Sequence, residues 1–267
     1  MPYIHGMPML PLMFFATASQ SPRENPPPAY HAAAQSQSLR LTAAELSSRV
    51  RVGDLVFIQS KPFPFRQVSL VTGCWSNHVG IIVEEEEGNA VVAESTFPFA
   101  RRTSLSSFVK RSGEGRVAVS RLKAPLGVAE QRALRRAVQQ RLGVLYDTGF
   151  NLESPRQFCS RFVREVLAEA TGVEVGEIET FAQLLARQNG IGLGFWRAWY
   201  WGRIPWERRT VTPAAVLQSP HLVTQFDGFV EVQRGAGTSA HPARDGRAVA
   251  PSRQSTSAAL DGGEGES

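Results

Sequence analysis

The chain has 267 residues, 42% of them hydrophobic, and 29 Lys and Arg against 24 Asp and Glu, for a formal net charge of +5. That is enough to bury a core of ordinary size in one domain with tails, or in two small ones. Two cysteines, Cys74 and Cys159, exclude a disulfide scaffold, and no apolar run reaches the roughly 18 residues of a membrane-spanning helix.

The excess positive charge is mostly arginine, scattered along the chain. It favours anionic surfaces weakly, a membrane surface included, and no nucleic-acid motif sharpens it. Residues 1–18 are apolar and contain Ala16-Thr17-Ala18, a small-x-small pattern. They lack Lys or Arg and are broken by Pro8 and Pro11, so they read either as an atypical export signal or as a disordered start. Residues 19–38, with Pro26-Pro27-Pro28, read as linker. The expected organisation is a disordered or targeting segment and linker over 1–40, a folded domain over 41–230 and a disordered tail over 231–267.

Thr42-Ala43-Ala44-Glu45 has the form of a capping box opening a short helix over 43–50. Gly53-Asp54 precedes a strand ending at Ile58, and residues 60–75 read as loop or short helix. His78–Val83 is a buried strand, Glu84–Asn89 a solvated turn and Ala90–Ser95 the returning strand. Val117–Val119 suggests another strand, and 127–142 a helix. A loop over 143–150 leads to the helix that starts near Cys159, and a further helical stretch falls near 178–188. Residues 190–206 hold Trp196, Trp199, Trp201 and Trp206, as an aromatic cover, a substrate-lining lid or a contact with a membrane interface. Thr212-Pro213 can start a last short helix.

Three residues invite joining. Cys159 opens an amphipathic helix whose apolar face is Phe162, Val163, Val166, Leu167 and Ala170, with Ser154 and Pro155 upstream as helix starters. A thiol there feels the positive end of the helix dipole, which can bring its pKa down from about 8.5. His78 is a polar residue at the start of a strongly apolar strand, unlike His5, His31, His221 and His241, which fall in tails, linker or the end of the fold. A three-residue turn centred on Glu86 or Glu87 sets His78 opposite or diagonal to Glu94 on one face. A two-residue turn or a bulge sets them on opposite faces. A thiolate needs an imidazole partner, and the imidazole an orienting acceptor. Cys74 and His78 alone are too few ligands for zinc. No phosphate-binding glycine loop or GxSxG elbow occurs, and no metal or organic cofactor is expected.

The ordered set GDLVF, SNHVGIIV, VVAEST, LYDTGF, FCSRFVREVL and TPAAVLQSP, over roughly residues 48–225, resembles the permuted papain-like NlpC-type cysteine hydrolases of the YiiX/YebB-like group. The resemblance implies an α+β fold, a small antiparallel sheet or open barrel packed against the helix that begins at the cysteine. It implies Cys159 as nucleophile, His78 as base and Glu94 as the residue orienting it, with Tyr146 bordering the pocket. Ser160 and Trp199 are further candidates for substrate contact. Lecithin-retinol acyltransferase relatives share the His-first order but carry Asn-Cys-Glu-His, where this chain has Phe158-Cys159-Ser160-Arg161. The implied activity is cleavage of an amide or ester in a small-molecule, peptide, cell-wall peptide or lipid-like substrate. Acyl transfer to lipid and an inactive binding module are the alternatives.

Overall fold

Alternating side chains on two central strands divide the core into two layers. In the computed structural model, which describes residues 39–85, 89–187 and 192–231, the elements in chain order are β1 (Arg40–Thr42), α1 (Ala43–Ser47), β2 (Leu55–Ser60), α2 (Phe63–Thr72), β3 (His78–Glu84), β4 (Val91–Ser95), β5 (Ala100–Ser104), α3 (Leu105–Val109), β6 (Ser112–Leu122), α4 (Val128–Arg141), α5 (Cys159–Thr171), β7 (Ile178–Thr180), α6 (Phe181–Ala186), α7 (Gly194–Trp199), β8 (Arg209–Val211), α8 (Pro213–Leu217) and β9 (Leu222–Glu231). Residues 1–38 of the expected targeting segment and linker, residues 232–267 of the expected tail, and the tip of the glutamate turn lie outside the described residues, whereas Arg40 and Glu231, expected outside the domain, belong to β1 and β9.

Seven strands form one sheet in the order β1-β9-β6-β2-β3-β4-β5. All neighbours are antiparallel except β1 and β9. β7 and β8 form a separate antiparallel pair. The architecture is α+β, with a larger sheet than the sequence suggests. Three further strands account for most of the difference: β1 and β9 extend one side and the polar β5 forms the other edge, while β6 starts at Ser112, ahead of the Val117–Val119 stretch.

Leu55 and Phe57 of β2, with Val79 and Ile81 of β3, point to one face of the sheet. There α4 lays Leu134, Ala137 and Val138, and α5 lays Phe162, Val163, Val166 and Leu167. Val56, Ile58, Ile82 and Val92 point to the other face, covered by Leu46 of α1 and by Leu105, Phe108 and Val109 of α3. Both faces are covered, so these strands read as near-continuous apolar runs. The capping box at Thr42 and Glu45 is present. Its helix ends at Ser47, earlier than expected.

The start of α5 differs from expectation in a way that matters. Ser154 and Pro155 lie in the preceding loop. The N-cap is Phe158, in extended conformation, with no side chain capping the helix. The first backbone N–H groups around Cys159 are therefore left without a side-chain acceptor. Gly172 ends the helix at φ 75°, the left-handed conformation favoured at a C-cap. A third apolar cluster joins Val71 of α2, Phe181, Leu184 and Leu185 of α6, and Trp196 of α7. The tryptophans divide accordingly: Trp196 is buried cover, whereas Trp201 is 93% exposed.

Candidate active site

The β3–β4 ladder sets the first relationship. Ile81 pairs with Ala93 and Ile82 with Val92, after which the register shifts by one before Glu84 meets Val91. Extending the inner register puts Gly80 across from Glu94 and His78 diagonal to it, on the same face. A bulge is thus present, yet it does not separate the pair. It lies on the turn side of Ile82 and leaves the parity between positions 78 and 94 unchanged. Gly80 keeps the diagonal open. A Cβ there would lie 2.5 Å from Val92 Cγ1 and 2.9 Å from Phe108 Cε2.

His78 Nε2 lies 2.6 Å from Glu94 Oε2, and both side chains are buried. The imidazole stacks on Phe108 at 5.5 Å between centroids and meets the edge of Phe65 at 6.2 Å. Glu94 accepts two more charged donors, Arg111 Nη2 at 2.7 Å and Arg101 Nε at 3.3 Å. Burial alone would raise its carboxyl pKa, but the bond and charge of His78, with Arg111, bring it down to about 2.

Cys159 meets the start of β3 at the uncapped end of α5. Burial disfavours its thiolate, yet the His78 charge and hydrogen bond, helped by the backbone N–H groups of Val79 and Ser160, lower the thiol pKa. Burial likewise disfavours the imidazolium, but the Cys159 thiolate and then Glu94 outweigh it and push His78 up to about 9. With Nε2 committed to Glu94, Nδ1 is the ring nitrogen left for the thiol. It is buried and makes no hydrogen bond among the described residues. The three groups favour a thiolate–imidazolium pair oriented by a carboxylate.

Tyr146 is delivered by a short zipper between two loops. Gln157 N–H donates to Leu145 O at 3.0 Å and Asp147 N–H donates to Gln157 O at 2.7 Å. Ser95 Oγ donates to the same Gln157 carbonyl at 3.0 Å. Asp147 then closes the loop by accepting from the N–H groups of Gly149 and Asn151. The buried Tyr146 hydroxyl has no hydrogen-bond partner among the described residues. Burial first, then the neighbouring Cys159 charge, raises its pKa.

Ser160 lines the cavity that Cys159 lines, and its hydroxyl donates to Val211 O at 2.7 Å, tying α5 to β8. Trp199 lines a surface groove, with its Nε1–H donating to Thr148 O at 2.9 Å. Sequence reasoning missed Arg101, Arg111 and Phe108. Arg101 is the direct cross-strand partner of Glu94, a relationship visible only once β5 is recognised. Arg111 and Phe108 come from α3 and the turn after it, which carry no motif.

Two spaces adjoin at the site, and the thiol lines the first of them. A narrow apolar cavity of about 30 Å³ is lined by Cys159, Tyr146, Phe158, Phe181, Leu184 and Trp196. An open groove of about 630 Å³ is lined by Lys61, Phe97, Arg101, Arg111 and Trp199 among others. Phe65, Tyr146 and Phe150 border both.

Residues 49–224, which hold every one of these groups, match the model of the permuted papain-like amidase enzymes, YaeF/YiiX, C92 family. The chain belongs to this family. Within it, the chain is 27% identical over 187 residues to the uncharacterized protein YiiX of Escherichia coli strain K12, covering 70% of this chain and 91% of that protein. It also superposes on the crystal structure of the metalloprotein YiiX from Escherichia coli O157:H7, with a TM-score of 0.61 and 26% identity over 68% of this chain and 99% of the other. The His-before-Cys order of the permuted fold is the order found here, with His78 on β3 and Cys159 opening α5.

Proposed function

We propose that the protein is a cysteine amidase that cleaves an acyl amide, or the corresponding ester, through an acyl-enzyme on Cys159. The observation that carries this reading is the burial of Cys159 and His78 together, with the thiol pKa lowered, the imidazole pKa raised and Glu94 behind the ring. The Cys159 thiolate attacks the carbonyl carbon and forms a C–S bond. The backbone N–H of Cys159 and the unpartnered Tyr146 hydroxyl are the donors available for the oxyanion. His78 gives its proton to the leaving nitrogen as the C–N bond breaks. The freed amine departs, His78 takes a proton from water, and the resulting hydroxide equivalent splits the thioester to carboxylic acid and thiolate. Glu94 holds the ring tautomer throughout.

The slot beside the thiol is apolar and slim, which favours a linear acyl group over a bulky peptide side chain. A metal does not fit this site. Glu94 is already engaged by His78 and two arginines, and His78 Nε2 is committed to Glu94, which leaves the set short of free donors for a metal.

The test is turnover of linear acyl amides and p-nitrophenyl esters of graded length, with the acid-quenched protein weighed by mass spectrometry. An acyl adduct on the Cys159 peptide, absent in Cys159→Ala, supports the reading. Turnover that survives Cys159→Ala, or an adduct elsewhere, refutes it.

A further inference from the structure

The groove beside the site carries a charge imbalance that the cleavage chemistry does not use. Lys61, Arg101 and Arg111 line it, and no Asp or Glu does among the described residues. Glu94, which lies behind the groove, touches both arginines but also the His78 imidazolium. With the thiolate counted against the imidazolium, and Glu94 against one guanidinium, two positive charges remain over. Arg101 spends only Nε on Glu94 and its side chain is 43% exposed. Arg111 is held in place by its guanidinium over the Phe108 ring at 4.9 Å. Lys61 is exposed and forms no ion pair among the described residues.

Resting on the amidase reading, we propose that the groove binds the leaving half of the substrate and that this half is an anionic amine, bearing a carboxylate or a phosphate. The acyl half occupies the apolar slot and the scissile carbonyl lies where slot and groove meet, at Phe65, Tyr146 and Phe150. Guanidinium groups pair with both kinds of oxyanion in bidentate fashion. The imbalance would also steer such substrates inward in a salt-dependent way. Phe97, Pro62 and Pro64 give the rest of the groove an apolar wall for the carbon frame of the amine.

The experiment compares three substrates with one acyl chain: N-decanoylglycine, N-decanoyl-O-phosphoethanolamine and the neutral N-decanoylglycinamide. The full chain is expected to prefer an anionic substrate by about tenfold or more in kcat/KM at low salt, with the preference shrinking at high salt. Whichever anion is preferred separates carboxylate from phosphate. Lys61→Ala should lower the anionic-to-neutral ratio of kcat/KM several-fold, and an unchanged ratio counts against the proposal. Arg101→Gln should lower the anionic-to-neutral ratio, a readout that cancels any general damage through Glu94. Equal or better turnover of the neutral amide overturns the proposal while leaving the amidase reading standing. If none of the three is turned over, calorimetric titration of Cys159→Ala with decanoylglycine and decanoylglycinamide decides it separately. Tighter binding of the anion supports the groove assignment, and equal binding overturns it.

Discussion

Glu94 sits diagonally across the β3–β4 ladder from His78, with 2.6 Å between Oε2 and Nε2 and essentially no exposure at either side chain. The same carboxylate lies directly across the β4–β5 ladder from Arg101. One residue therefore joins the orientation of the imidazole to the charge of the groove. Replacing it with Gln leaves an imidazole facing an amide and two arginines without their counter-charge. Glu94→Gln is expected to lower kcat/KM by about a hundredfold to ten-thousandfold and to cost about 3 kcal/mol in stability. Steady-state kinetics and chemical denaturation check the two parts independently.

Gly80 allows that diagonal. A methyl group there would meet Val92 Cγ1 at 2.5 Å, Phe108 Cε2 at 2.9 Å and the Ala93 carbonyl at 3.1 Å. Gly80→Ala is expected to destabilise by about 1–3 kcal/mol through overpacking and to displace Phe108 from beneath the His78 ring. Thermal unfolding and the imidazole resonances of His78 should both move. A variant of unchanged stability would mean that the strand pair is more open than this packing.

Tyr146→Phe separates chemistry from folding. The hydroxyl is buried and makes no hydrogen bond among the described residues, so removing it should leave the melting temperature unchanged or slightly raised. As an oxyanion donor it should be worth about a hundredfold or more in kcat. A variant with full kcat would remove Tyr146 from the reaction and leave it as pocket wall.

The pH dependence follows from the signs of the shifts. His78 is raised to about 9, so its contribution to stability is complete below its unfolded value near 6.5 and is lost as pH rises through about 9. Glu94 is lowered to about 2, so its contribution is present above about 4.5 and fades as pH falls toward 2. Amide cleavage, which needs the imidazolium proton for the leaving nitrogen, should decline on the alkaline side near 9. On the acid side it should persist below the usual thiol range, because Cys159 is lowered. Cys159→Ala removes the thiolate that raises His78, and the ring should then titrate lower, as NMR would show.

The parts of this site that announce themselves in the sequence are those with strong local patterns. The apolar runs around His78–Val83 and Val91–Ser95, and the stripe Phe162, Val163, Val166 and Leu167, follow from burial on a strand pair and on one face of a helix. β5 is hidden because an edge strand needs no apolar face; Ala-Arg-Arg-Thr-Ser is suited to an edge, where charge discourages further pairing. β9 is hidden because most of its first half is exposed, so alternation is weak there. Arg101 follows β5 out of view, and Arg111 and Phe108 belong to a five-residue helix and the turn after it. The bulge near Val83 defeats reasoning from turn length alone, because what matters is which side of the His78–Glu94 pair the extra residue falls.

Alkylation by iodoacetamide across pH, read at each cysteine by peptide mass spectrometry, tests most directly whether Cys159 is an activated nucleophile paired with His78. Cys74 is the internal reference, since its burial raises its thiol pKa. Cys159 is expected to react readily at pH 6–7, below the ordinary thiol value of about 8.5, while Cys74 stays unlabelled, and His78→Ala should abolish that early reactivity. Cys159 labelling that rises only near pH 8.5 and is unchanged in His78→Ala would contradict the account.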